Sequence, residues 1–256
     1  MSANELFLSS PPFSVSFVGE LGTGDGLFRE SLFCMIQDLY NPLFPLFLKT
    51  ENHTNNDGDW NEAYMPNPLY NTYYYGPIFN FIGKLIGISF KEHLCLPLNF
   101  PPFLWSYLVE GVIDYTLYET VDHSLYQEVT YLKNISTYSE EEQSILLENK
   151  YLCYVKYDGT VCYYAAKEPH SLVSESEKVP LTKELIPLYI KMIKLNIAKS
   201  YESSLAQIRN GLLELLSSRV LSLLSWNELY VRCAGKNDVD IQLLKQHTSY
   251  EYMVFL

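Results

Sequence analysis

An aspartate-glycine pair, Asp158-Gly159, separates two β-prone runs, Tyr151-Leu152-Cys153-Tyr154-Val155-Lys156-Tyr157 and Thr160-Val161-Cys162-Tyr163-Tyr164. Both residues of such a turn tolerate positive φ, which a tight two-residue hairpin demands, so the pair is a strong hairpin signal. The patterns on either side repeat at helical spacing instead. The chain must therefore set a small hairpin module into a mainly helical body, which makes the fold class α+β with helices in the majority.

The helical patterns are specific. From Arg29 to Tyr40 the apolar positions Leu32, Phe33, Ile36 and Leu39 fall at helical spacing. Asn41-Pro42 ends that helix, because proline lacks the N–H and restricts the residue before it. A second helix starts near Pro77 and runs through Phe81-Ile82-Gly83-Lys84-Leu85-Ile86-Gly87. Gly83 and Gly87 are four apart, so they share a face and let another backbone come close. Further helices are expected over about Pro102 to Glu110, about Ser124 to Ile135, and from about Pro187, where Leu205, Ile208, Leu212 and Leu215 form one stripe. Ser225 with Glu228 reads as a capping box. Two segments read otherwise. Phe13 to Phe17 alternates apolar and polar like a half-buried strand. Glu51 to Pro68 is rich in Asn, Asp and Pro and reads as an exposed loop.

Bulk numbers exclude several functions. The 256 residues can bury a sizeable core, and 48% hydrophobic with 19% charged content describes a folded chain. A formal net charge of −12 argues against a nucleic-acid partner, because phosphate contacts need a basic face. The most apolar helix candidate, Ile78 to Phe90, is too short for a membrane span and contains Lys84. The amino terminus shows no signal peptide. Cys34, Cys95, Cys153, Cys162 and Cys233 are odd in number and form no Cys-x-x-Cys pair, which suits a cytoplasmic or nuclear compartment better than secretion. The five histidines are equally scattered, so no metal or cofactor is expected.

No residue pattern carries chemistry on its own. Gly22-x-Gly24-x-Gly26 lacks a following lysine and sits among Glu20, Asp25 and Glu30, so it reads as a tight turn and not a phosphate loop. Glu141-Glu142 lies in a solvated acidic run. Cys34 falls in an apolar helix and is expected in the core. None of the five cysteines has a histidine or basic neighbourhood that argues for a thiolate, so no catalytic residue is assigned.

Five segments in collinear order carry a resemblance. They are Phe17-Val18-Gly19-Glu20 … Gly26 … Arg29-Glu30; Asn41-Pro42 … Leu46-Phe47; Phe81 to Gly87; Val179-Pro180-Leu181-Thr182 … Tyr189-Ile190; and Asn227-Glu228-Leu229 … Cys233-Ala234-Gly235 … Asp238-Val239-Asp240-Ile241 … Thr248-Ser249-Tyr250. Together they resemble the amino-terminal lobe of a HECT-type ubiquitin-protein ligase over roughly residues 13 to 251, most closely the HECT domains of the large HERC-type ligases. The opening loop is about one residue shorter than the family's, and Pro187 stands early in a helix that normally lacks it.

The resemblance implies a large discontinuous helical body, 1–118 and 191–256, with a small subdomain at 119–190 that docks the ubiquitin-conjugating enzyme. The implied docking residues are Leu125, Val129, Leu132 and Ile135, at i, i+4, i+7, i+10 spacing, and Tyr189, which matches an aromatic closing the family's groove. Spacing alone favours core packing; the resemblance turns the reading toward a docking groove. Between 121 and 190 there are 11 acids against 6 Lys and Arg, a balance that steers toward a basic helix on a conjugating enzyme. The family's chemistry is transthiolation through a cysteine on a second lobe. The chain stops at Leu256, so it reads as the dock without the nucleophile and inactive by itself, with ubiquitin and protein substrate as partners of the full-length ligase. The alternative is a non-catalytic module that sequesters conjugating enzyme; a third reading is a structural helical protein.

Overall fold

The computed structural model describes residues 11–19, 25–70, 73–155, 160–165, 172–235 and 241–248. Its centre is the crossing of two long helices, α3 (Gly76–Lys91) and α7 (Ile186–Leu213), which make the most extensive contact in the molecule. Glycines set how close they come. A Cβ on Gly83 of α3 would overlap the carbonyl oxygen of Ile208 on α7, and one on Gly211 of α7 would overlap the carbonyl oxygen of Asn80 on α3. The crossing is thus backbone against backbone. Beside it, Lys84 Nζ lies 2.9 Å from Glu214 Oε2, and Asn80 Nδ2 donates to Glu214 Oε1 at 3.0 Å.

The remaining helices pack around this pair. In order they are α1 (Asp25–Asp38), α2 (Glu51–Asn55), α4 (Pro102–Glu110), α5 (His123–Lys133), α6 (Glu140–Leu147), α8 (Ser218–Leu221), α9 (Trp226–Ala234) and α10 (Ile241–Gln246). Eight of the nine residues of α4 are buried, as an all-round apolar helix must be. It ends on Gly111 at φ 75, whose N–H donates to the Tyr107 carbonyl at 2.8 Å. Arg209 of α7 donates to the carbonyls of Leu108 at 3.1 Å and Val109 at 3.3 Å, placing a cation on the negative end of that helix.

Sheets are small. β1 (Phe47–Lys49) pairs antiparallel with β2 (Tyr64–Pro66). β3 (Cys153–Val155), β4 (Val161–Tyr164) and β5 (Leu172–Val173) form a three-stranded antiparallel sheet in that order. Its first two strands are the expected hairpin, with Cys153 opposite Tyr163 and Val155 opposite Val161. The Asp158-Gly159 turn lies outside the described residues.

The helices expected at 102–110, from 187 and around the Ser225 cap are present, and the cap is reciprocal. Glu228 N donates to Ser225 Oγ at 3.3 Å, and Ser225 N donates to Glu228 Oε2 at 2.8 Å. Leu205, Ile208, Leu212 and Leu215 are all buried. α7 begins one residue before Pro187, which therefore sits in the first turn where its missing N–H does no harm. α7 then runs unbroken through residue 190, the expected edge of the small subdomain.

Three expectations are corrected. Residues 13–17 alternate in burial but are not in a strand, and among the described residues none pairs with them. The segment Glu51 to Pro68 is not an exposed loop: it holds α2 and β2, and Asn52, Ala63, Met65 and Asn67 are buried. The polar side chains there are satisfied by backbone, so their burial is tolerated. Cys34 is exposed, since Leu32, Ile36 and Leu39 take the core face of α1 and Cys34 faces away.

Candidate functional site

α5 is the element expected to carry the site. Asp122 caps it, its carboxylate accepting from Leu125 N at 2.9 Å. Burial of Asp122 raises its pKa, while that N–H opposes the shift. The helix is anchored at its start by the body. Asn52, 1% exposed, donates through Nδ2 to the carbonyls of Asp59 at 3.0 Å and Glu119 at 2.8 Å and accepts from His123 N at 2.7 Å. Asn52 of α2 thus clasps the residues that lead into α5.

Burial divides the five expected docking residues. Leu132 is 1% exposed, Ile135 8% and Tyr189 9%, all within the main core. Leu125 and Val129 are half-buried and pack against that core. Leu125, Val129 and Leu132 lie on α5 at the expected spacing, while Ile135 falls in the 3-10 turn after it, Ile135–Thr137, because α5 ends at Lys133. The accessible part of the stripe is Leu125 and Val129.

Tyr189 joins the group through a polar contact. Its hydroxyl donates to Glu128 Oε1 at 3.0 Å, and Lys150 Nζ lies 2.9 Å from the same oxygen. Glu128 so ties α5 to α7 and to the approach to β3. Burial, then the Glu128 charge, push the Tyr189 phenol far above its ordinary range; it serves as a fixed donor and not as an acid. Burial also pushes the Cys153 thiol up, with Glu128 adding to the effect. Glu128 and Lys150 are polar, so no apolar periodicity in the sequence marks them. Tyr131 and Ile145 are exposed and lie off the apolar stripe, so its spacing does not mark them either. This arrangement offers an apolar edge beside a charged pair, and it is built for contact more than for bond-making.

Among the described residues, no group of three or more His, Cys, Asp and Glu is placed to hold a metal ion, and no helix is long and apolar enough to cross a membrane.

Known proteins match this chain closely enough to classify it. The family model described as HECT-domain (ubiquitin-transferase) matches residues 33–254. The E3 ubiquitin-protein ligase HERC2 of Mus musculus is 23% identical over 251 residues, covering 98% of this chain and 5% of the relative. The probable E3 ubiquitin-protein ligase HECTD4 of Homo sapiens is 25% identical over 257 residues, covering 93% and 6%. The ubiquitin-protein ligase E3B of Homo sapiens is 26% identical over 247 residues, covering 92% and 22%. The chain spans only a small part of the length of each of these relatives.

Proposed function

This chain belongs to the HECT-domain (ubiquitin-transferase) family, and on that premise we propose that residues 119–190 dock a ubiquitin-conjugating enzyme for transfer of ubiquitin to a protein substrate. The observation that supports this reading most is the half-buried edge of α5. Leu132 and Ile135 fix the helix from behind, while Leu125 and Val129 keep part of their apolar surface in solvent. Docking surfaces work through a few such anchors. The excess of acids between 121 and 190 favours a basic partner helix.

Transfer in this family passes ubiquitin from thioester to thioester, and a thiolate must attack. Cys162 and Cys233 are buried, and burial raises the Cys153 thiol and lifts Cys233 to about 12. Cys153 and Cys233 are therefore poor nucleophiles near neutral pH, and Cys162 is buried out of reach. We assign residues 1–256 the dock and none of their cysteines the transfer, and place the protein in the cytoplasm or nucleus, where thiols stay reduced.

Calorimetric titration against a panel of conjugating enzymes tests this. At least one should bind, and Val129→Asp should weaken that binding by about tenfold or more, since it sets a charge on an anchor, with the melting temperature nearly kept. A panel with no binder, or a variant that binds as tightly as the parent, sinks the reading. With activating enzyme, charged conjugating enzyme and ubiquitin, residues 1–256 should give no reducible adduct on a non-reducing gel.

A further inference from the structure

A cleft of about 580 Å3 opens on the body between residues 59–63, residues 97–99 and α9. Two carboxylates, Asp59 and Glu62, and two aromatic rings, Trp60 and Tyr230, line it together with Asn99; among the described residues no Lys, Arg or His does. Among the described residues neither carboxylate has an ion-pair partner. Trp60 is held by edge-on contacts, 5.2 Å between ring centroids to Tyr230 and 6.5 Å to Trp226, and remains only half-buried. Its φ of 61 is one that L residues rarely adopt, so the surrounding packing holds this ring at the cleft wall.

We propose that this cleft receives an arginine or lysine side chain from a basic segment of a protein partner. Unpaired carboxylates beside an aromatic face attract a cation twice, through charge and through the ring quadrupole. The same walls repel anions. An arginine fits best, because its plane stacks on indole while its fork meets a carboxylate. A bare metal ion fits worse, since the donors do not form a chelating cluster and the ring offers it no ligand atom. None of the lining residues lies in 119–190, so the site is separate from the proposed dock and the two readings stand or fall independently.

Fluorescence anisotropy tests the proposal with a labelled ten-residue peptide of arginines spaced by glycine and serine, and with its citrulline counterpart. The arginine peptide should bind, and the citrulline peptide at least about tenfold more weakly. Asp59→Asn with Glu62→Gln should cost about tenfold or more. Both positions are exposed, so the double variant should fold as the parent does. Trp60→Ala should also lose affinity. Because the chain is acidic throughout, Glu30→Gln with Asp38→Asn, two exposed carboxylates on α1 outside the proposed dock, is the control and should bind normally. Equal losses in both double variants would show non-specific attraction and overturn the site. So would full binding by Asp59→Asn with Glu62→Gln. Free arginine or spermidine binding as tightly as the peptide would overturn the protein-partner assignment.

Discussion

Leu132 is 1% exposed, while Val129 on the same face keeps surface in solvent. Truncating the two therefore reports on different properties. Leu132→Ala leaves a cavity in the core and should lower stability by about 2–5 kcal/mol. Urea denaturation measures this, and a loss well under 1 kcal/mol would place Leu132 in an open groove after all. Single residues were readable here where burial follows periodicity, as along Leu205, Ile208, Leu212 and Leu215. They were not readable where a polar side chain is buried for tertiary reasons. Asn52 is the example: its sequence neighbours look like a loop, and only the carbonyls of Asp59 and Glu119 and the N–H of His123, distant in sequence, explain its burial. Cys34 failed in the opposite sense, because an apolar neighbourhood in sequence is not a buried face.

Helices in close contact amplify single-atom changes. At the crossing of α3 and α7, a methyl on Gly83 or Gly211 meets a backbone carbonyl of the other helix, which cannot rotate away. At Gly87 the new Cβ would meet the Leu215 side chain, with Cβ at 2.8 Å and Cδ1 at 2.9 Å. The Cδ1 can turn away but the Cβ moves only with its backbone, so the overlap is milder than at the two carbonyls without being free. Gly83→Ala and Gly211→Ala should each cost about 3 kcal/mol or more, and Gly87→Ala less, about 1–2 kcal/mol. Thermal and urea unfolding of the three variants give the ranking; Gly87→Ala as the most damaging would refute this account of the crossing. Gly83 and Gly87 announced a close approach because they interrupt an apolar helix four residues apart. Their partner Gly211 was hidden inside a strong leucine stripe. Local signals likewise revealed the hairpin strands and the Ser225 cap. β5 has two residues and α2 has five, too few for any period to show, so pairing and packing alone define them.

At the scale of the whole molecule, tyrosines set the alkaline limit of stability. Burial raises the phenols of Tyr40, Tyr118 and Tyr189 well above their ordinary 10.0 and pushes Tyr201 up to about 12. Burial also holds the Cys233 thiol up at about 12, from 9.0. Unfolding returns each group to its ordinary range, so above that range the unfolded chain binds fewer protons than the folded one. Stability then falls as pH rises. The contribution of these groups is fully present below pH 9, begins to go as Cys233 would ionise in the unfolded chain, and is lost faster above pH 10 as the tyrosines follow. Each group adds a slope of about 1.4 kcal/mol per pH unit once the unfolded form has ionised. Denaturant unfolding between pH 7 and 11 should show a plateau to about pH 9 followed by this decline. The net charge of −12 also grows with pH and weakens the compact state, so a variant is needed to separate the causes. Tyr201→Phe removes one titrating group and leaves the other ionisable side chains in place. Its stability should fall less steeply above pH 10 than that of the parent, by about one group's slope. Parallel curves for the two proteins would assign the decline to overall repulsion and not to the buried phenol.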